Sequence, residues 1–231
     1  MASIYANSYL TIIAADGDST DYRLRGLRGI SGPRQLDQKV HRLSTRLQVV
    51  RKLHQGELYR SVWSTRGWTF QEHIFSTRRL KFERQMVYWE CDAGYWDEEK
   101  TGKNKRKDTQ DPIEGLSAAF TSSFPSLDDY TELLRAYTSR VPSYSKDSLF
   151  AFSGITTALG RVFAGGFVSG LPMMFFDIAL LWEPYGTSTW RAPVLDTHKN
   201  PCLPSWSWVG WEGKVSTHSW EAGNCCIKKS S

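Results

Sequence analysis

The stretch RGWTFQEHIFSTRRLKFERQMVYWEC, residues 66–91, decides the fold class. Its first half has helical spacing. Trp68, Gln71, Glu72 and Phe75 stand three, four and seven positions apart, so a helix places them on one face. A helix over 67–76 is predicted, with this aromatic stripe toward the core. From residue 78 the period becomes two. Leu80 and Phe82 alternate with Lys81 and Glu83, and Val87, Trp89 and Cys91 alternate with Tyr88 and Glu90. Two strands around a turn near 83–85 follow, with Tyr88 and Glu90 opposite Trp89. A helix feeding paired strands places the chain in the α+β class.

Upstream, residues 1–8 read as the end of a helix. YLTIIAA, 9–15, reads as a buried strand stopped by DGD. Residues 16–38 carry Gly17, Gly26, Gly29, Gly32 and Pro33 and read as loop, and RLQVVRKL, 46–53, as a strand. Downstream, 92–125 is polar and reads as a long loop, with 96–127 as a linker between an N-terminal part (1–95) and a C-terminal part (128–213). Helices are predicted over 128–141, where Tyr130, Leu133, Leu134 and Tyr137 share a face behind Asp128 and Asp129. A second is predicted over 145–163, with Ser145 as cap and Asp147 in the first turn. A third, LPMMFFDIALLW, 171–182, is apolar nearly all round and is expected to be a buried helix. LPSWSWVGW, 203–211, reads as a strand with Trp206 and Trp208 on one core-facing side. The tail, 214–231, has no clear pattern.

Composition bounds the function. The 231 residues can bury one sizeable core or two small ones, and ten Trp, ten Tyr and eleven Phe predict a core built on rings. The net charge of +5 permits an acidic partner without demanding one. The run KTGKNKRKD, 100–108, interleaves no aromatic and has the composition of a solvated loop, which argues against nucleic acid. Cys91, Cys202, Cys225 and Cys226 form no CxxC pair and have no metal-ligand spacing with the five His, so no metal site is expected. Reduced thiols in an intracellular, cytoplasmic protein are the simple reading. The most apolar stretch, 162–176, is 15 residues long and broken by Pro172, short of the ~20 that a membrane span needs.

Glu72 is the candidate functional residue. A carboxylate at the edge of an aromatic stripe must be paired, hydrogen-bonded or shifted in pKa. It could pin the following turn by an ion pair with Arg66, Arg78 or Arg79, or stand as a partly buried acid in a cleft. SWSWVGW could be a stacking platform, though paired Trp on one strand face more often means core. There is no P-loop, no GxGxxG and no Ser-His-Asp arrangement in context.

Taken together, IYANSYLTIIAADG, GLRG, STRGWTFQEHIFSTRRLKF, VYWEC, YSKDSLFAFSGI and LPSWSWVGW resemble, in order and spacing, the fungal heterokaryon incompatibility (HET) domain and its C-terminal extension. Family members begin with a Leu-Ser-Tyr-x-Trp-Gly-like strand and a Trp-Ile-Asp…Cys-Ile-x-Gln segment, ahead of the helix at which this chain begins. The resemblance therefore implies an N-terminally truncated domain. Residues 1–95 would be the C-terminal half of a HET domain, followed by a mostly helical extension ending in a Trp-rich strand. It implies a role in nonself recognition between fused hyphae and in regulated cell death, acting mainly through protein partners or self-association. The HET domain is also thought to be similar to TIR domains, some of which cleave NAD⁺ with a helix-borne glutamate. By that analogy Glu72 matches the catalytic acid, Trp68, Gln71 and Arg66 would line the binding site, and NAD would be substrate rather than cofactor. A carboxylate would stabilise the oxocarbenium-like state formed as nicotinamide leaves.

Overall fold

The computed structural model describes residues 1–17, 19–22, 24–34, 40–45, 47–50, 61–83, 85–98, 116–140, 147–191 and 203–220. The chain divides into two compact units that interleave in sequence. One holds 6–64 and 76–110, the other 1–5, 65–75 and 111–231. Both helices and open mixed sheets are present, as expected for an α+β fold. The lysine run, Ser145, Cys202, Cys225 and Cys226 lie outside the described residues.

The first unit is built on a four-stranded sheet in the order β1-β4-β5-β6: β1 is Thr11–Ala14, β4 Arg78–Glu83, β5 Met86–Cys91 and β6 Gly94–Asp97. β2 (Val40–Arg42) and β3 (Gln48–Val50) form a separate antiparallel pair. β1 runs parallel to β4, with Ile12 opposite Leu80, and β4, β5 and β6 form an antiparallel meander. The predicted hairpin over 78–91 is present, and Gln85 (φ 65°) turns it. Its tip is tied down: the Gln85 N–H donates to Asp16 (2.9 Å) and its side-chain amide to the Tyr22 hydroxyl (3.3 Å). β6 falls within the expected loop over 92–125. Gly94, Tyr95 and Trp96 supplied a strand signal that the charged surroundings obscured.

Register sorts the two faces. Ile12, Leu80, Trp89 and Trp96 form one cross-strand row, with Ala14, Phe82 and Val87 beside it. The opposite face carries Arg79, Lys81, Tyr88, Glu90, Tyr95 and Asp97. There Arg79 pairs with Glu90 at 2.7 Å and Tyr88 stacks on Tyr95. Ile13, Ala15 and Trp63 make a small buried cluster, Trp63 coming from α2 (Val62–Thr65). Below it the Thr11 and Ser76 hydroxyls bond at 2.7 Å.

The second unit holds the larger core. Its helices are α3 (Trp68–Phe75), α4 (Leu127–Thr138) and α5 (Phe150–Leu159), joined by residues 2–5 of α1 (Ala2–Ala6) and by α6 (Phe176–Ala179). Ser126 caps α4, accepting from the Asp129 N–H, and Asp128 and Asp129 favour its N-terminus. The α4 face buries Tyr130, Leu133, Leu134 and Tyr137, as the spacing predicts. Tyr130 stacks on Trp220, and Tyr137 and Phe152 meet Trp208 edge to face. The tail thus contributes a core residue that its sequence gave no pattern for. Gly170 (φ +80°) lets its carbonyl reach the Tyr130 hydroxyl; a Cβ there would lie 2.7 Å from the Trp208 ring.

Three expectations are corrected. LPMMFFDIALLW is not a buried helix. Pro172 opens a 3-10 turn over Met173–Phe175, and Phe175 (φ −125°, ψ 32°) breaks it from the four-residue α6. Side chains therefore leave in several directions: Leu171 and Ala179 are buried, whereas Met173, Met174, Leu180 and Leu181 are exposed. LPSWSWVGW does not keep strand alternation either. Ser207 caps a 3-10 turn over Trp208–Gly210, so Trp208 is buried while Trp206 is 43% exposed. Finally, α5 starts at Phe150, which puts Asp147 ahead of the helix rather than in its first turn.

Candidate functional site

The RGWTFQE segment folds around Gly67. The Phe70 N–H donates to the Gly67 carbonyl, and the Thr69 hydroxyl to the Arg66 carbonyl at 2.8 Å, winding the first turn of α3. Burial then follows the Phe70–Ile74 line. Thr69, Phe70, Gln71, His73 and Ile74 are buried around that line, while Trp68, Glu72 and Phe75 are half-buried. The predicted stripe of residues 68, 71, 72 and 75 is thus turned part-way out of the core. In a helix of eight residues, the i,i+4 pair with the best apolar fit fixes the rotation.

Each candidate residue has a defined place. Arg66 is exposed, and its carbonyl accepts from the Arg140 guanidinium at 3.2 Å. Arg140 is buried. It also donates to the Thr69 hydroxyl (3.0 Å) and lies over the Phe70 ring at 5.1 Å. The Trp68 indole N–H donates to Asp147 at 3.3 Å. Gln71, 2% exposed, donates its amide to the Phe150 carbonyl at 3.1 Å. Its Oε1 lies against the backbone of Gly154, where a Cβ would come within 2.2 Å. Glu72 accepts a hydrogen bond from the Tyr5 hydroxyl. Burial first, then the Glu72 charge and that bond, raise the Tyr5 pKa. Of the basic residues weighed as Glu72 partners, Arg79 pairs with Glu90 and Arg78 lies over the Tyr9 ring at 5.0 Å.

A second set of ionisable groups gathers near Trp68, and sequence reasoning missed it. Tyr137 donates to the Ser148 carbonyl at 2.6 Å. Its pKa is pushed up by burial, lowered by Arg191 and Arg140 and raised by Asp147. Burial lowers the Arg191 pKa, while Glu212 and Tyr137 act the other way. Arg191 donates to the Trp211 carbonyl at 2.9 Å. No short-range spacing links residues 68, 137, 140, 147 and 191, so only the fold assembles them.

A cavity of about 440 Å³ lies elsewhere in sequence, lined by Tyr22, Arg25, Gly29, Ile30, Ser31 and Gly32, with the Arg25 guanidinium 5.0 Å over the Tyr22 ring. Its lining includes none of Arg66, Trp68, Gln71 or Glu72. Among the described residues no group of three His, Cys, Asp or Glu could hold a metal ion, and no helix is long and apolar enough to cross a membrane.

Residues 1–72 match the family model of heterokaryon incompatibility protein (HET). The match supports a heterokaryon incompatibility-related function at the level of the family. It takes in α1, β1, β2, β3, α2 and the first five residues of α3, and ends on Glu72 itself. No curated protein and no solved structure matches the chain. Within the HET-matched span, Trp68 and Gln71 reach out to residues 147, 150 and 154, beyond the match. The end of the matched span thus packs on α5 and the residues just ahead of it.

Proposed function

We propose that this chain is an effector module of fungal heterokaryon incompatibility, taking part in nonself recognition and the regulated cell death that follows. It works in the cytoplasm through association with protein rather than through chemistry of its own. The observation that carries this reading is the use made of RGWTFQE. Trp68 and Gln71 are spent on Asp147, Phe150 and Gly154, and Glu72 accepts from Tyr5. A buried amide wedged between two helices is a packing device; withdrawing it to contact a substrate would leave the Phe150–Gly154 seam open.

The test is colony survival of a fungal host expressing wild type or Glu72→Gln. Glutamine keeps an acceptor for the Tyr5 hydroxyl but cannot stabilise a cationic transition state as a carboxylate does. Equal killing by the two is expected. Survival of cells making folded Glu72→Gln, beside death with wild type, would overturn the association reading and favour NAD cleavage with Glu72 as its acid.

A further inference from the structure

β1 stands at the edge of its sheet, and among the described residues it pairs only with β4. The Ala15 N–H donates to the Phe82 carbonyl at 2.8 Å. Parallel pairing alternates, so Thr11, Ile13 and Ala15 direct their backbone groups at β4, and the N–H and C=O of Ile12 and Ala14 point away from the sheet. Both residues are exposed, Ile12 at 57%. Thr-Ile-Ile-Ala has none of the devices that blunt an edge: no Lys, no Pro, no bulge.

We infer that this edge pairs with the same edge of a second copy, giving an antiparallel β1–β1 junction and a continuous eight-stranded sheet. The inference rests on the association reading above and names its surface. Three features select a second copy. First, a two-fold axis at Ile13 sets Ile12 opposite Ala14 of the other copy, and Ala14 opposite Ile12. The outward N–H and C=O groups of the four residues then meet as two hydrogen-bonded pairs. Second, the axis stands perpendicular to the sheet, so like faces join. The apolar row Trp96–Trp89–Leu80–Ile12 runs on into Ala14, Phe82 and Val87 of the second copy, and the exposed Ile12 side chain gains an apolar neighbour. Third, charge matches. Arg78 and Tyr9 sit at the N-terminal end of β1, and Asp16 follows its C-terminal end. Antiparallel pairing brings each Arg78 end toward the partner's Asp16 end.

The test is sedimentation velocity on the full chain over a micromolar concentration series, with Ile12→Pro and Ile12→Lys. Proline at 12 removes only a donor that faces away from β4, so the sheet's own ladder is kept; lysine adds like charge at the centre of the junction. The expected result is a wild-type dimer, weakened roughly 10–100-fold by either substitution, since each change enters twice. Amide exchange at Ile12 and Ala14 should slow as dimer forms. A wild-type monomer across the series overturns the inference, as does a dimer that neither variant weakens. Protection of the Ile12 amide in a monomer would place some other strand on this edge and overturn it equally. Killing by a wild-type monomer would sink the dimer and leave the association reading standing. Killing that requires Glu72 in a chain that dimerises would do the reverse.

Discussion

Gly154→Ala tests the claim that Gln71 locks α3 onto α5. A Cβ at 154 would lie 2.2 Å from Gln71 Oε1, 3.1 Å from its Cδ and 2.5 Å from the Ala2 Cβ. Gln71 is buried and holds the Phe150 carbonyl, so it cannot move aside freely. Overpacking of this kind costs about 1–3 kcal/mol, and displacing a buried hydrogen-bonded amide adds about 1–3 kcal/mol. Alanine returns about 1 kcal/mol over glycine inside a helix. The net expectation is a loss of about 1–5 kcal/mol. Urea unfolding followed by tryptophan fluorescence reads it. The same change in a Gln71→Ala background should cost at least ~1 kcal/mol less, because the two closest side-chain atoms of residue 71 are gone. A neutral or stabilising Gly154→Ala, or an effect unchanged by Gln71→Ala, would refute the lock.

Other outcomes follow from the same contacts. Burial raises the pKa of Tyr130 and Tyr137 well above that of a free phenol. Stability is therefore fully present below pH 10, where the unfolded phenols hold their protons. It should fall as pH rises past 10, by up to ~1.4 kcal/mol per pH unit for each phenol. Urea midpoints at pH 8 to 11 measure this, Tyr137→Phe should flatten the slope, and a constant midpoint would contradict it. Trp63→Ala empties most of the small cluster with Ile13 and Ala15 and should cost about 3–5 kcal/mol in thermal or urea unfolding; a loss below ~1 kcal/mol would contradict its burial. Leu181 is exposed, so Leu181→Gln should change stability by less than ~0.5 kcal/mol; a large loss would restore the buried helix that sequence alone suggested.

Periodicity made the sheet legible where side chains alternate cleanly. The change of period at residue 78 gave β4 and β5, and their register put Tyr88 and Glu90 on one face. α4 was legible for the same reason, with Tyr130, Leu133, Leu134 and Tyr137 on one stripe. Continuous apolar runs misled. In 171–182 hydrophobicity has no period, and local breaks at Pro172 and Phe175 decide where each side chain goes. At 203–211 a serine cap replaced strand alternation by a 3-10 turn, which split Trp206 from Trp208. At the candidate site, sequence singled out Trp68, Gln71 and Glu72 but not the groups they touch. Asp147, Phe150 and Gly154 lie about eighty positions away, and no local pattern carries that distance.

Whether RGWTFQE packs or reacts is read from the NAD⁺ content of cells dying under expression of the wild-type chain. A packing role keeps NAD⁺ at the level of control cells until viability is lost, in wild type and Glu72→Gln alike. NAD⁺ that falls before death with wild type, and holds with Glu72→Gln, would contradict it.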